Sequence, residues 1–536
     1  MRKVTSCSSA AKKAALGFSM LIGLLVSSLI LIHVYGHNDD DDDQDDLEKN
    51  SKVGGVGQFS GSRSSLHFHQ MNEMQALKTS FLHRRSLLSP SPSPSYRLPI
   101  TPNLQVYQVT AYGADPTGKT DSTKALQQAI SDAFDRARSN NNGEFLMPGI
   151  TDLGGAQIHL EGGSYLISSP LQLPSSGGGN LMIHGGSIRA SDKFPTNRYL
   201  IELSASSSFT EKIKRTSTTK EELEVELASL SYTYEDITLK DLMLDSNYTG
   251  GGIAVINSLR TTIDNCYISH FSSNGILVQG GHETYIHNSF LGQHITAGGD
   301  PGEKKFSGTG INLMGNDNAV TDVVIFSAAV GIMVSGQANI LTGVHCYNKA
   351  TGWGGIGIYL RLPRLTQTRI VNSYLDYNGI VAEDPVQLHI SNTFFLGDGF
   401  ILLKSINGVI NGVNIVDNMF SGSGKGVDIV QLDQSKSPFT KVDQVVIDRN
   451  NVQGMNLRAT VGRGSVQGNS SSWSLDFNRV LLFPNLIRHV QYTLSTDAAS
   501  FPNHALRNVT GNRVVVESDK SMAAKIYVTV DQSTTI

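Results

Sequence analysis

The chain has few charged residues and few cysteines, and both shortages narrow the class of protein. Charged side chains make up 17% of its 536 residues, and the formal net charge is −4. A protein that binds nucleic acid needs a basic face, so we expect no nucleic-acid partner. Three cysteines do not make a disulfide framework. We expect Cys266 and Cys346 to be buried free thiols that act as small apolar residues.

The sequence also lacks the motifs of several common sites. No cysteine–histidine spacing is typical of zinc, the acidic run 39–46 has no calcium-loop spacing, and no glycine-rich segment has a phosphate-loop pattern. We therefore expect no metal and no cofactor. A mildly acidic protein can still hold a local basic groove, so an acidic polysaccharide is compatible with the composition. We expect the protein to be a monomer.

The first hundred residues divide into three segments that lie outside the expected fold. Residues 1–13 form a basic tail, and residues 14–35 form an uncharged, mostly apolar run that is long enough to span a bilayer. The run fits an uncleaved type II signal anchor with a cytoplasmic tail, and it fits a cleaved signal peptide equally well. Residues 36–100, acidic and then rich in Ser-Pro, are expected to be a disordered stalk.

Either form of this segment sends the rest of the chain into the secretory pathway and towards the cell exterior. Three Asn-x-Ser/Thr sequons fit that compartment as glycosylation sites, at Asn247, Asn469 and Asn508.

The folded part begins near residue 105 with a strand, a polar loop and a helix. Asp121 or Ser122 is expected to cap this helix, whose apolar stripe over residues 125–134 suits the open end of a solenoid.

Glycine is abundant, and it marks a repeat of short strands. A Gly-Ile pair followed by alternating apolar residues recurs at Gly252, Gly275, Gly310, Gly331, Gly357 and Gly379. Four intervals are 21 to 26 residues, and one of 35 inserts a loop over residues 292–308. Such a period is typical of coils stacked as a solenoid, and the leucine-rich repeat, its main rival, has a leucine–asparagine signature that is missing here. The five isoleucines after the first five glycines should point inward.

A second signature follows several of these pairs by about a dozen residues. It places an asparagine before a small residue and an aromatic residue, at Asn265, Asn288, Asn372 and Asn392. We expect these asparagines at a corner, where side-chain amides bond one another and tolerate turn geometry. The sequence therefore predicts an all-β fold with an N-terminal capping helix. Residues 101–440 would form a parallel β-helix, and residues 441–536 its last coils and a C-terminal β cap.

The segments 109–118 (Val-Thr-Ala-Tyr-Gly-Ala-Asp-Pro-Thr-Gly) and 162–167 (Gly-Gly-Ser-Tyr-Leu-Ile) resemble the start of pectin-lyase-like β-helix proteins. Over about residues 105–440 the chain looks most like the divergent plant polygalacturonases of the QUARTET type, which degrade pectin in the wall that joins pollen tetrads. The resemblance implies a right-handed single-stranded parallel β-helix in the plant cell wall. It also implies hydrolysis of pectic homogalacturonan by inversion, with two carboxylates.

The usual catalytic motifs of this family are missing. Ordinary family 28 glycoside hydrolases carry Asn-Thr-Asp-Gly, Gly-Asp-Asp, Gly-His-Gly and Arg-Ile-Lys on successive coils. This chain has Thr-Gly-Gly-Gly-Ile from residue 249, Ser-Asn-Gly-Ile from 273, Gly-Thr-Gly-Ile from 308 and Ala-Val-Gly-Ile from 329. These segments contain neither a carboxylate nor a histidine, so the family's catalytic set cannot be carried over intact.

The residues themselves suggest another catalytic set. Inverting hydrolysis needs two carboxyl groups roughly 6.5–9.5 Å apart, and outward side chains one or two coils apart can meet that separation because strands are about 4.8 Å apart. The expected catalytic residues are Asp376, Glu383 and Asp398, with their acid and base roles unassigned. The opposing interpretation is that acidic residues in solenoid turns cap backbone groups.

Three residues are expected to line the site and bind substrate, namely Tyr359, Arg361 and Lys404. Arg361 stands where an arginine could hold a galacturonate carboxylate through two hydrogen bonds. A second choice of catalytic set is Asp300 with Glu283, which would use the long loop. His282 lies beside this second set, and Asp245 and Asp264 are further alternatives.

Two other functions stay open at this point. A calcium-dependent pectate lyase would need clustered carboxylates and an arginine base, which Asp376, Glu383, Asp384 and Arg361 could supply. A non-catalytic pectin-binding or wall-structuring protein would use the same basic and aromatic residues without turnover. A hydrolase differs from the non-catalytic protein in having two outward carboxyls that flank the binding residues at hydrolytic distance.

Overall fold

The computed structural model describes residues 105–140, 145–147, 149–204, 232–293, 307–347, 354–361, 367–499 and 501–533. The basic tail, the apolar run and the stalk lie outside these ranges, as does Asp300 with most of its loop. None of the helices within these ranges has the length and apolarity needed to cross a membrane.

Short strands from successive coils pair in parallel, as the repeat predicts. Sheet 1 contains ten strands, in the order Leu171–Gln172, Tyr199–Leu203, Gly251–Ile256, Asn274–Gln279, Thr309–Leu313, Val330–Val334, Ile356–Arg361, Ile380–Glu383, Ile401–Lys404 and Val430–Asp433. The Gly-Ile pairs lie on this sheet.

Two further rows of parallel strands complete each coil. Sheet 2 contains Thr262–Asp264, Tyr285–His287, Ala319–Thr321, Ile340–Thr342, Arg369–Val371, Val386–Ser391, Val409–Val416 and Lys441–Asp448. Sheet 3 contains Tyr267–Ser269, Phe290–Gly292, Val324–Phe326, His345–Tyr347, Tyr374–Asp376, Phe394–Leu396, Met419–Ser421 and Asn451–Gln453. The three sheets enclose one core, and the chain is a parallel β-helix.

The first coils use longer strands. Ile150–His159, Gly178–Ala190 and Tyr234–Asp245 pair in turn, and the last of them pairs with the first strands of both sheet 2 and sheet 3. The remaining strands of this part are Val106–Gln108, Thr117–Asp121, Phe145–Met147, Ser164–Ile167 and Ser258–Leu259, and a 3₁₀ turn spans Val109–Tyr112.

The inward column of sheet 1 confirms the predicted register. Ile253, Ile276, Ile311, Ile332 and Ile358 are direct partners across adjacent strands, and all five are fully buried. Because side chains alternate along a strand, the residues one and three positions after each of these isoleucines point outward. The outer face of sheet 1 is therefore set by the same register as the core.

The corner between sheets 2 and 3 is a single residue in the left-handed conformation. Asn265, Asn288, Asn372 and Asn392 have φ angles of 50° to 52°, and Asp322 and Gly343 occupy the same corner in other coils with φ of 53° and 63°. The expected turn role is confirmed. The expected amide-to-amide bonding is wrong for Asn288, whose Nδ2 donates to Asp264 Oδ1 at 3.0 Å.

Amide pairs do form, one where the chain enters sheet 2 and another where it enters sheet 3, directly after the corner residue. Asn318 Nδ2 donates to Asn339 Oδ1 at 3.1 Å, and both residues are buried. Asn418 Nδ2 donates to Asn450 Oδ1, also at 3.1 Å. These amides satisfy backbone groups inside the coil, which a corner residue facing solvent does not need to do.

Helix α1, Thr123–Asn140, packs on the first coil, against the strands that begin at Val106 and Ile150. Its first turn is capped as expected, because Ser122 O accepts the Leu126 amide at 3.0 Å and Asp121 Oδ1 accepts the Thr123 amide at 2.9 Å. The apolar stripe is buried, from Leu126 to Phe134.

The two cysteines of the described chain, Cys266 and Cys346, are buried free thiols, as predicted.

After the last parallel strand the chain forms an antiparallel sheet. Its four strands are Val461–Asp476, His489–Thr496, His504–Thr510 and Arg513–Asp531. The last strand pairs with the other three. A separate apolar cluster that includes Trp473, Ile526 and Val528 lies on one side of this sheet. The cap therefore has a small core of its own.

Candidate functional site

The outer face of sheet 1 carries four charged side chains of alternating sign at one register position. Arg361, Glu383, Lys404 and Asp433 end four neighbouring strands and are direct partners across them. We call them the charged row. Each is the third residue after an inward isoleucine or valine, so the core register fixes their alignment. Strand spacing puts neighbouring Cα atoms in the row about 4.8 Å apart.

Glu383 is the centre of contacts in this row. Its Oε1 accepts a hydrogen bond from the Tyr359 hydroxyl at 2.6 Å and lies 3.4 Å from Lys404 Nζ. The glutamate side chain is 14% exposed, so one oxygen is held by the protein while the group still reaches solvent. Burial, together with the bond to Glu383, raises the pKa of Tyr359 to about 12. The phenol is therefore a neutral hydrogen-bond donor at every physiological pH.

Arg361 and Lys404 put positive charge on both sides of Glu383. The Arg361 guanidinium carbon lies 6.0 Å from the centre of the Tyr359 ring, and this arginine is exposed. Arginine and lysine are the side chains that bind carboxylates, arginine through a planar pair of donors. The structure thus brings together four residues named from the sequence: Tyr359, Arg361, Glu383 and Lys404.

Asp433 is the member of the row that the sequence reasoning missed. Hydrogen bonds from Ser435, one of them from its amide at 3.0 Å, lower the pKa of Asp433, and Lys404 lowers it further. The aspartate is therefore ionised under ordinary conditions. A signal for it existed, because Asp433 stands three residues after Val430, as Glu383 stands after Ile380. The Gly-Ile pair is absent from this strand, as it is from Ile401–Lys404, and the last such pair lies two strands earlier, so the repeat does not indicate the strand.

Asp376 and Asp398 lie at the opposite edge of sheet 1 from Glu383. Asp376 ends a strand of sheet 3, and Asp398 stands in the turn that leads from sheet 3 to sheet 1, with φ of 65°. Asp398 accepts hydrogen bonds from the Ser423 amide at 2.8 Å and from its hydroxyl at 2.7 Å. The three predicted catalytic residues therefore divide into two groups, with Asp376 and Asp398 at the edge where the sheet 1 strands begin and Glu383 at the edge where they end.

Asp384 is a turn residue, fully buried beside Glu383. Its two oxygens accept the amides of Ile406 at 2.9 Å and Asn407 at 2.6 Å. A carboxylate committed to two backbone amides is a poor calcium ligand, because those lone pairs are occupied. Across the described ranges there is no group of three or more His, Cys, Asp or Glu side chains placed to hold a metal ion.

The second predicted set is only partly within the described residues. Asp300 lies outside them. Glu283 is exposed at the turn between sheets 1 and 2, 3.5 Å from an Arg260 nitrogen. His282, next to it, pairs with Asp317 at 3.0 Å. Arg260 also pairs with the buried Glu235, so the arginine neutralises two carboxylates. These contacts are ion pairs at the turns of successive coils.

Three further acidic side chains have partners of their own. Asp245 binds His270 Nδ1 at 2.8 Å, and Asp264 pairs with Lys240 at 3.0 Å on the outer face of sheet 2. Glu202 is buried on sheet 1, where its Oε1 accepts from Arg198 at 2.8 Å. Glu202 is thus a carboxylate on the outward side of sheet 1, six strands before the one that carries Glu383.

The chain is similar to a plant polygalacturonase and matches a pectate lyase-like family model. A family model described as rhamnogalacturonase A/epimerase, pectate lyase-like, matches residues 106–356. Polygalacturonase QRT3 of Arabidopsis thaliana is 64% identical over 477 residues, which cover 88% of this chain and 93% of that protein.

Solved structures of similar fold share little sequence with this chain. Endo-xylogalacturonan hydrolase of Aspergillus tubingensis is 11% identical, with a TM-score of 0.43, and the match covers 65% of this chain and 92% of that one. The surface adhesin PfbA of Streptococcus pneumoniae is 13% identical, with a TM-score of 0.42, over 65% of this chain and 86% of that one.

Proposed function

Since this chain belongs to the family of pectin-lyase-like β-helix proteins that includes Arabidopsis Polygalacturonase QRT3, we propose that it hydrolyses pectic homogalacturonan in the plant cell wall. The observation that carries the proposal is the charged row on sheet 1. It sets two carboxylates among two cations and a tyrosine, on a face that runs along the stacked coils. A linear polymer of uronic acids presents one carboxylate per sugar, which matches a surface of repeated basic positions.

Within the row we propose Glu383 and Asp433 as the catalytic pair. They lie two strands apart, so their Cα atoms are separated by about 9.6 Å. Inverting hydrolysis requires the carboxyl groups themselves to lie roughly 6.5–9.5 Å apart, so that one can protonate the leaving oxygen while the other activates water. Side chains on these two positions would reach that range by inclining slightly towards each other. Asp433 is the better candidate for the base, because its pKa is lowered and it is ionised. Glu383 would then supply the proton.

The cations and the tyrosine would bind and orient the polymer. Arg361 has an exposed guanidinium and would hold a galacturonate carboxylate beside Glu383. Lys404 stands between the two carboxylates of the proposed pair and would bind another. In the free protein Lys404 is paired with Glu383, and substrate that takes over Lys404 would separate the two. Tyr359 would keep Glu383 in one rotamer.

Asp376 and Asp398 form an alternative catalytic pair. They sit one coil apart at the other edge of sheet 1, since Asp376 pairs with Leu396, two residues before Asp398. Asp398 is bonded to Ser423 as Asp433 is bonded to Ser435, so these bonds do not distinguish the two pairs. We prefer Glu383 and Asp433 because a cation, Lys404, stands between them. The two pairs are separated by the length of a sheet 1 strand, so a variant in one pair leaves the other intact.

The test is release of reducing ends from de-esterified polygalacturonate by the purified full-length protein, with calcium chelated and unsaturated products followed by absorbance. We expect new reducing ends without unsaturation. Glu383→Gln and Asp433→Asn should each lower kcat by about 10²–10⁴-fold, the weight of one acid–base group. Asp417→Asn is the matched control, because Asp417 is an exposed aspartate paired with Arg449 on another corner, and it should leave kcat within twofold.

Other outcomes point to other functions. A loss of turnover in Asp376→Asn and Asp398→Asn, but not in Glu383→Gln, would move the catalytic pair to the other edge. Unsaturated products that require calcium would mean a lyase. A second candidate function is non-catalytic binding of pectin, which the ion pair between Glu383 and Lys404 favours because it neutralises a required carboxyl. Retained binding without any turnover would establish it.

The setting of the proposed activity follows from the N-terminal residues and the sequons. We propose export through the secretory pathway, with residues 14–35 as signal anchor or signal peptide and residues 36–100 as stalk. Asn469 and Asn508 are exposed on the cap, where a glycan has room. Asn247 is less accessible, because its Nδ2 donates to Asp192 Oδ1 at 2.9 Å.

A further inference from the structure

We propose that the C-terminal cap carries a second binding surface for an acidic polysaccharide, separate from sheet 1. The surface is the outer side of three antiparallel strands, centred on residues 525–529. Outward side chains there form three rows, namely Arg463–Thr529–Gln491, Ser465–Tyr527–Thr493 and Gln467–Lys525–Ser495. We call these three rows the cap face. It goes beyond the proposed hydrolase function, because it requires no catalysis.

The charge of the cap face suits an anionic ligand. Its two charged positions, Arg463 and Lys525, are both cations, and no carboxylate occupies any position of the three rows. The chain as a whole is mildly acidic, with a formal net charge of −4, so a face of this sign stands apart from it. Arg463 is 66% exposed, with Asp448 at 3.7 Å to one side. Attraction to uronate groups would be weakened by salt.

Tyr527 gives the cap face a flat apolar centre. Its side chain is 47% exposed, and Lys525 Nζ lies over one face of the ring, 4.8 Å from the centroid. A sugar would therefore stack on the opposite face. A sugar ring presents C–H groups on its faces and hydroxyl groups at its rim. Stacking on Tyr527 would therefore place hydroxyls over the surrounding glutamines, serines and threonines, and a carboxylate within reach of Lys525.

The aromatic residues of sheet 3 do not offer such a surface. Tyr267 and Phe290 stack with centroids 6.2 Å apart and an interplanar angle of 18°. Tyr374 and Phe394 stack at 5.8 Å and 11°. Because these rings lie against one another up the sheet, their faces are used in packing, and a sugar could meet only their edges. The exposed ring of Tyr527 is the better platform.

The test measures binding of the full-length protein to polymer by affinity electrophoresis, in gels with de-esterified homogalacturonan, methyl-esterified pectin or a neutral glucan. Asn469 faces the same side as the cap face, two residues beyond Gln467, so all proteins carry Asn469→Gln to remove a glycan from that edge. Lys525→Gln and Tyr527→Ala should each weaken binding to the de-esterified polymer about tenfold. Esterification of the polymer should have a similar effect, because it removes the negative charge.

Two matched controls lie on the same cap outside the cap face. Arg507→Gln removes a cation that is 64% exposed, and Phe501→Ala removes a fully exposed ring. Both should bind as the parent does. Equal losses in the controls, unchanged binding in the cap-face variants, or equal retardation by the neutral glucan would each overturn the proposal. Turnover of short galacturonate oligosaccharides should be unchanged in the cap-face variants, so failure of the hydrolase proposal is recognised separately.

Discussion

The two sets of asparagines in the coils should respond differently to substitution. Asn339 is fully buried, and its Oδ1 accepts from the Asn318 amide at 3.0 Å and from Asn318 Nδ2 at 3.1 Å. Its own Nδ2 donates to the Gly315 carbonyl at 3.3 Å. Asn372 sits at the outer corner with φ of 52°, where its backbone conformation matters more than its amide.

Asn339→Leu keeps the volume of the side chain but leaves three buried polar groups without partners. Each such group costs about 1–3 kcal/mol, which gives about 3–9 kcal/mol before any compensation. The leucine recovers about 1.5–3 kcal/mol through burial. The middle of each range gives an expected net loss of about 4 kcal/mol. Asn372→Gly should cost under about 1 kcal/mol, because glycine adopts a positive φ without strain. Asn372→Ala should cost more than Asn372→Gly, because a Cβ disfavours this conformation by about 1–2 kcal/mol.

The measurement is urea unfolding followed by circular dichroism, with equal m-values required before free energies are compared. Hydrogen exchange of the Asn318 amide in the Asn339→Leu protein supplies a local readout that does not depend on two-state unfolding of the whole solenoid. A stability within 1 kcal/mol of the parent for Asn339→Leu would refute the reasoning. An equal loss in Asn372→Gly would also refute it, since the two asparagine positions would then be equivalent.

Two further predictions concern single groups. Because the folded pKa of Tyr359 is raised to about 12, the stabilising neutral phenol persists below the ordinary value near 10 and is lost as pH rises through 12. The difference in phenolate absorbance between the parent and Tyr359→Phe isolates Tyr359, and its midpoint should lie near pH 12. In a Glu383→Gln background the midpoint should move towards pH 10, and an unmoved midpoint would argue against the hydrogen bond from Tyr359 to Glu383. Mass spectrometry of the secreted protein should find glycan on Asn469 and Asn508 but little on Asn247; full occupancy of Asn247 would contradict its hydrogen-bonded geometry.

The inward half of each strand could be predicted from the sequence because packing leaves it little choice. The Gly-Ile pairs fixed a register in which Ile253 to Ile358 form one buried column. The same alternation identified Tyr359, Arg361 and Glu383 as outward residues. The repeat does not indicate Asp433, because its strand lacks the Gly-Ile pair, although Asp433 follows Val430 by the same three residues that separate Glu383 from Ile380.

The edges of the sheets were harder to predict, because turn length decides where a turn residue points. Asp376, Asp398 and Glu383 are 22 residues apart at most in the sequence and have similar chemistry, but the length of a sheet 1 strand separates the first two from the third. The backbone amides that Asp398 and Asp384 accept come from the following coil, about 22 to 25 residues later. No local pattern indicates such a partner, so capping and catalytic carboxylates look alike in the sequence.

The missing family motifs are weak evidence against hydrolysis in a solenoid of this kind. Inward positions are fixed by packing, whereas outward positions at the ends of sheet 1 strands face solvent and are equivalent from coil to coil. Inverting chemistry requires two carboxyl groups roughly 6.5–9.5 Å apart, and outward positions two strands apart can supply them when the side chains incline towards each other. The segments from 249 to 332, which lack the family motifs, therefore remove only the usual coils from consideration. We propose that Glu383 and Asp433, on later coils with a cation between them, supply such a pair.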